Sequence, residues 1–113
     1  MTATVFVDTN VLVYARDARD RLKWDRASAW LRGLWMEQRG RTSMQVLAEY
    51  YTTVTRKLRP GLAADAAWED VVALLAWEPQ ETNRALLVRA REIERADSLS
   101  WWDAMIVAAA QLQ

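Results

Sequence analysis

Residues 4–10 read TVFVDTN: a short β-branched and apolar run, Thr4–Val7, that stops abruptly at Asp8-Thr9-Asn10. Such a run reads as a buried strand whose carboxyl end opens into a turn. Asn10 is then the expected N-cap of the short apolar segment Val11–Ala15. Outward from there, Arg16–Arg26 alternates in sign (RDARDRLKWDR), the pattern of a solvated helix entry. Apolar positions at 24, 27, 31, 34 and 35 predict an amphipathic helix ending near Gly40. A brief second strand is expected at Arg41–Met44. The helix after it has an apolar stripe of Met44, Leu47, Ala48, Tyr51, Val54 and Leu58, a Thr42/Gln45 capping box and a Pro60-Gly61 stop. Leu62–Trp77 is again helical in period, and a third strand is only faintly marked near Trp77–Gln80, where Pro79 breaks the chain. A charged helix at about Thr82–Ala96 and a very apolar one from Ser100 onward complete the chain. Short strands alternating with helices predict an α/β fold on a parallel sheet. With no repeat and no low-complexity linker, residues 1–113 are expected to form one domain.

Composition narrows the chemistry. The chain has 113 residues, 15 Lys+Arg against 15 Asp+Glu, no His and no Cys. Imidazole acid/base pairs, thiol nucleophiles, disulfides and nitrogen/sulfur zinc sites are therefore excluded. What remains is carboxylates, hydroxyls, Lys/Arg, or a hard cation held by oxygen. Zero net charge and a pI near 6.3 lack the basic excess of proteins that grip nucleic acid by phosphate neutralisation alone. Any such grip needs a local patch or a bound cation. The first residues carry no basic cluster, so a secretory signal is not expected. The apolar stretches Val71–Trp77 and Ala104–Ala110 fall far short of the ~18 residues of a membrane span, so a soluble cytoplasmic protein without membrane contact is expected.

Most acids lie in mixed-charge runs; three do not. Asp8 follows the first strand, and in open α/β sheets the ligand crevice lies at the carboxyl ends of the strands; it is equally an ordinary turn residue. Glu49 sits in a helix of few charges, SMQVLAEYY, where a solvated helix face is the plain alternative. Asp103 is the only charge between Leu99 and Leu112, in a helix whose all-round apolarity predicts burial and hence a costly carboxylate. Ser100 and Asp103 also fit a capping box, which would give that acid a backbone role. If the three converge, two unit charges ~4 Å apart repel by about 4 kcal/mol at an effective dielectric of 20. Such a cluster needs a compensating proton or cation. Mg²⁺ or Mn²⁺ suits an all-oxygen donor set and phosphodiester hydrolysis.

Seven Trp could stack on bases, but Trp24, Trp30, Trp35, Trp68 and Trp77 follow helical apolar periods and are expected in core or interface. Trp101 and Trp102 flank the candidate site. Arg56, Lys57 and Arg59 stand where cations complement a helix C-terminus, with contact to RNA phosphate as the alternative.

Three blocks, VFVDTNVLVYARD, SMQVLAEYYTTVTRKLRPGL and LSWWDAMIVAAA, strongly resemble in order and spacing those that mark PIN domains, in particular VapC-type toxins of bacterial toxin–antitoxin pairs. The resemblance runs over essentially the whole chain. It implies a three-layer α/β/α fold, a short parallel sheet flanked by helices, and a divalent-metal-dependent endoribonuclease using Mg²⁺ or Mn²⁺. By it, Asp8, Glu49 and Asp103 are the catalytic and metal-binding acids, Thr9 and Asn10 support them, and Trp101 and Trp102 are packing positions. It also implies an RNA substrate, a cognate antitoxin that blocks the site, and a homodimer. The family has a further strand and commonly another acid beyond the helix of Asp103. By that standard the chain is expected to lack the final strand or strands and to leave an edge open to association. The alternative function is therefore a catalytically impaired, truncated relative that acts as a binding or oligomerisation module. An aspartyl-nucleophile phosphotransferase would want a second Asp where Asn10 stands.

Overall fold

The computed structural model describes residues 3–113. Strand β1 (Val5–Phe6) runs parallel to β2 (Gly40–Arg41), with Val5 opposite Gly40 and Phe6 opposite Arg41. Val5 and Val7 donate their N–H groups to the carbonyls of Arg39 and Arg41, each at 2.8 Å. The expected strand Thr4–Val7 is thus present in a shorter form, and the second strand lies slightly earlier than Arg41–Met44. The faint third strand is reduced to one parallel bridge, Ser43 to Gln80, held by Gln80 N–H to the Thr42 carbonyl and Met44 N–H to the Gln80 carbonyl, each at 3.0 Å. Pro79 supplies no donor here, so the ladder cannot lengthen across it.

Between β1 and β2 the chain forms α1 (Thr9–Tyr14) and α2 (Arg21–Met36). Asp8, not Asn10, is the N-cap of α1: its side chain accepts the Thr9 N–H at 2.6 Å. The helix starts two residues earlier than the apolar run suggested, because Asp8 stays extended and its side chain reaches forward to the first free donor. Helix α3 (Met44–Thr52) is capped by Ser43, whose hydroxyl accepts the Val46 N–H at 3.2 Å. Thr42, the expected cap, instead donates its buried hydroxyl to the Val7 carbonyl at 3.0 Å, tying the ends of the two strands together. The buried face of α3 is Val46, Leu47 and Tyr50. The expected stripe was rotated, and Met44 and Ala48 are exposed.

After Thr52 the helix widens into a π-helical turn, Thr53–Lys57, closed by Leu58 N–H to the Thr53 carbonyl at 2.9 Å. Helix α4 (Ala64–Leu74), a 3₁₀ turn (Leu75–Trp77), α5 (Arg84–Asp97) and α6 (Trp101–Leu112) follow. Two apolar clusters fill the molecule. One gathers Val7, Leu12, Leu34, Val46, Leu47, Tyr50, Val54 and Trp77 among others; the second joins α5 and α6 through Leu86, Ala90, Ile93, Ala104, Met105 and Ala108. Phe6 packs against both. The sheet therefore lies between helices on its two sides, an α/β fold with a short parallel sheet. Of the five tryptophans expected in core or interface, only Trp77 is buried in the core; Trp30, Trp35 and Trp68 stay at least two-fifths exposed. Among the described residues no helix is long and apolar enough to cross a membrane.

Candidate active site

The carboxyl end of β1 delivers Asp8, and the Thr42–Ser43 corner after β2 launches α3 beside it. Helix α6 brings its first turn to the same place. The result is a cleft of about 600 Å³ lined by Asp8, Thr9, Asn10, Glu49, Lys57, Trp102 and Asp103, with Ala48, Thr52, Thr53 and Ile106 as its floor and walls. Three acids that are far apart in the chain thus share one concavity at the carboxyl end of a parallel sheet.

The local hydrogen bonds differ from acid to acid. Glu49 is held on both oxygens: the Thr9 hydroxyl donates to Oε2 at 3.0 Å and the Gln45 amide to Oε1 at 3.1 Å. The same Gln45 nitrogen reaches the Trp102 carbonyl at 3.5 Å, joining α3 to the start of α6. Asp8 spends one oxygen on its cap. Asp103 lies over its own helix start, where the Ser100 hydroxyl accepts the Asp103 N–H at 3.1 Å. Ser100 thus performs the expected cap, and the Asp103 carboxylate accepts no hydrogen bond among the described residues. Its expected burial does not occur: Asp8, Glu49 and Asp103 are all exposed. The apolar face of α6 turns toward α5, and position 103 falls on the rim.

The donor chemistry suits a hard divalent cation. The cleft offers carboxylate, amide and hydroxyl oxygens, with no imidazole or thiol anywhere in the chain. Among the described residues, however, no three acids stand close enough to share one ion as the side chains now lie. Both oxygens of Glu49 are engaged, by Thr9 and Gln45.

Two lining residues lay outside the expected set. Lys57 was placed at a helix terminus with Arg56 and Arg59, yet it faces the acids because the π-helical turn rotates it there. Trp102 was expected to pack; it is 63% exposed. No sequence period signals a π turn, but the isolated double Trp beside an acid was a usable sign.

An α/β domain with an acidic, oxygen-only cleft at the ends of parallel strands has the architecture of a metal-dependent hydrolase of phosphate esters. The sequence profile of the PIN domain matches residues 5–113, and the chain belongs to the PIN domain family. PIN domains are in general metal-dependent nucleases, usually bind divalent metal ions and act on nucleic acids. A comparison with curated proteins returned no match.

Proposed function

We propose that this protein is a divalent-metal-dependent endoribonuclease of VapC type, the toxin of a toxin–antitoxin pair, acting in the cytoplasm as one domain over residues 1–113. The observation that carries the reading is the convergence on one cleft of Asp8 from the end of β1, Glu49 from the middle of α3 and Asp103 from the first turn of α6. In this reading the three carboxylates hold Mg²⁺ or Mn²⁺, and Asn10 and Thr9 support them. Bound there, the ion supplies Lewis acidity at the phosphate and lowers the pKa of the attacking water. The chain's own part is positional. Thr9 and Gln45 fix where Glu49 points, Ser100 sets the first turn of α6 under Asp103, and the Asp8 cap holds α1 against the strand end.

A second copy of the chain is proposed as partner, because α2 leaves Leu22, Trp30 and Met36 exposed, the kind of surface that marks association. A cognate antitoxin is proposed from the likeness of the three blocks to VapC-type toxins. The spacing of the acids favours one further reading, a relative that binds partners without cutting RNA. One experiment separates them: Mn²⁺ titration of the wild type and Asp103→Asn, followed by thermal shift and by cleavage of labelled RNA. The nuclease reading expects stabilisation and cleavage in the wild type alone. Equal indifference of both proteins to Mn²⁺, without cleavage, selects the binding reading.

A further inference from the structure

Two residues of the acidic cleft take no part in holding an ion. Trp102 exposes most of its surface in the first turn of α6, directly before Asp103, whereas its neighbour Trp101 packs on the α5–α6 core. The exposed indole is therefore not needed where it stands for packing. Lys57 is the one cation among the described residues lining the cleft. It owes its direction to the π-helical turn: in an uninterrupted α-helix each residue advances by about 100°, and a turn that holds one extra residue rotates everything after it by about that angle. Turns of this kind recur at functional sites.

The two residues also lie at opposite ends of the wall that carries Glu49. Gln45, at the start of α3, touches the Trp102 carbonyl, and Lys57 lies roughly 18 Å further along the same helical wall at 1.5 Å per residue, with Glu49 between them. A phosphodiester entering this cleft is repelled by every carboxylate and attracted only at the Lys57 end. At the other end an indole face stands open to a flat apolar ring.

We propose that Lys57 and Trp102 are the two substrate subsites on either side of Glu49. Lys57 takes a backbone phosphate, and Trp102 stacks on an unpaired base. The substrate is then a single strand lying along α3, because a base inside a duplex has both faces covered. The proposal rests on the nuclease reading and adds to it the two residues that grip the strand.

The test uses the full chain, Ca²⁺ in place of Mg²⁺, and a fluorescein-labelled single-stranded oligoribonucleotide shown by gel to stay intact. Binding is read by anisotropy across a salt series. Trp102→Ala should weaken binding roughly 5- to 150-fold, the range for loss of one stacked base, and Trp102→Phe should recover most of it. A scan of single abasic positions should find one at which Trp102→Ala no longer matters. Lys57→Ala should reduce the slope of log K against log salt by about 0.7, and Lys57→Arg should restore it. A duplex of the same sequence should bind weakly, and a DNA strand comparably, since neither subsite touches the 2′-hydroxyl. Both positions are exposed, so unchanged melting temperatures are expected. Wild-type binding and Mn²⁺-dependent cleavage with both alanine variants unaltered would overturn the subsites alone. A wild type that neither binds nor cleaves would overturn the nuclease reading and the subsites with it.

Discussion

The Thr9 hydroxyl donates a 3.0 Å hydrogen bond to Oε2 of Glu49 and so fastens the first residue of α1 to the middle of α3. With the Gln45 amide on Oε1, both oxygens of an exposed carboxylate are engaged by neutral donors. Neither bond contributes much to stability at an exposed site. What they do is choose one direction for a side chain that solvent would otherwise leave free, and they hold it between the start of α1 and the start of α3.

Replacing Thr9 by Val keeps the shape of the side chain and removes the donor. Groups that orient a metal ligand typically cost 10–100-fold in metal affinity or activity when removed. Thr9→Val is therefore expected to raise the Mn²⁺ concentration needed for half-maximal cleavage by at least about tenfold while the melting temperature without metal changes little. Thermal shift against Mn²⁺ gives the second readout. An unaltered Mn²⁺ response would show that Thr9 does not position Glu49.

Asp8 combines two duties that substitution can separate. As N-cap it holds α1, and Asn caps a helix as well as Asp does. Asp8→Asn is expected to abolish metal-dependent cleavage with no loss of melting temperature. Asp8→Ala should abolish cleavage and also cost about 1 kcal/mol of stability. Cleavage retained by Asp8→Asn would remove Asp8 from the site. Equal destabilisation by both variants would show that the charge, rather than the cap, supports α1.

These residues show where the sequence is legible and where it is not. The strand before Asp8, the helices from α2 to α6 and the α/β class follow from apolar period and turn residues, because those patterns are written by local burial. The face of α3 did not follow: Met44 and Ala48 sit as well in an apolar stripe as Val46 and Tyr50 do, and only the neighbouring helices decide between them. Thr42 and Ser43 are both competent caps, and the one whose hydroxyl is claimed by the Val7 carbonyl is lost to the helix. Asp103 looked buried because α6 is apolar nearly all round, yet the face that meets α5 is made of Trp101, Ala104, Met105 and Ala108, and position 103 falls outside it. The gathering of residues 8, 49 and 103 in one cleft is a matter of topology, which no local pattern records. Lys57 was least legible, since its direction depends on a π turn made by backbone bonds alone.

Gly40 illustrates a position fixed by a distant side chain. A Cβ there would overlap the Trp77 ring, which is buried over the strand. Gly40→Ala forces the indole out of its place, and overpacking of this sort costs about 1–3 kcal/mol. A fall in melting temperature of at least about 4 °C is expected, given the usual 4–8 °C per kcal/mol for a domain near this size. Adding Trp77→Phe, which withdraws the outer edge of the ring, should recover part of the loss. A double variant less stable than Gly40→Ala alone would show that the ring is not what excludes the methyl group.

Tyr50 is expected to make the stability of the fold sensitive to alkali. Burial first, and then its hydrogen bond to Asp70, raise its phenol well above the ordinary value of 10.0. Asp70 is itself gripped by Arg16 at 2.6 Å, so the hydroxyl faces a carboxylate and cannot ionise without placing two negative charges together. In the unfolded chain the phenol loses its proton near pH 10, whereas in the folded chain it keeps it. The stabilisation from Tyr50 is therefore complete below pH 10 and is lost progressively as the pH rises above it toward the folded-state value. Tyr50→Phe should lower stability at pH 7 by about 1 kcal/mol, the typical worth of one hydrogen bond. It should also flatten the decline above pH 10, so that the two melting curves converge as the solution is made more alkaline. Parallel declines in wild type and variant between pH 9 and 11 would show that another group governs the alkaline transition.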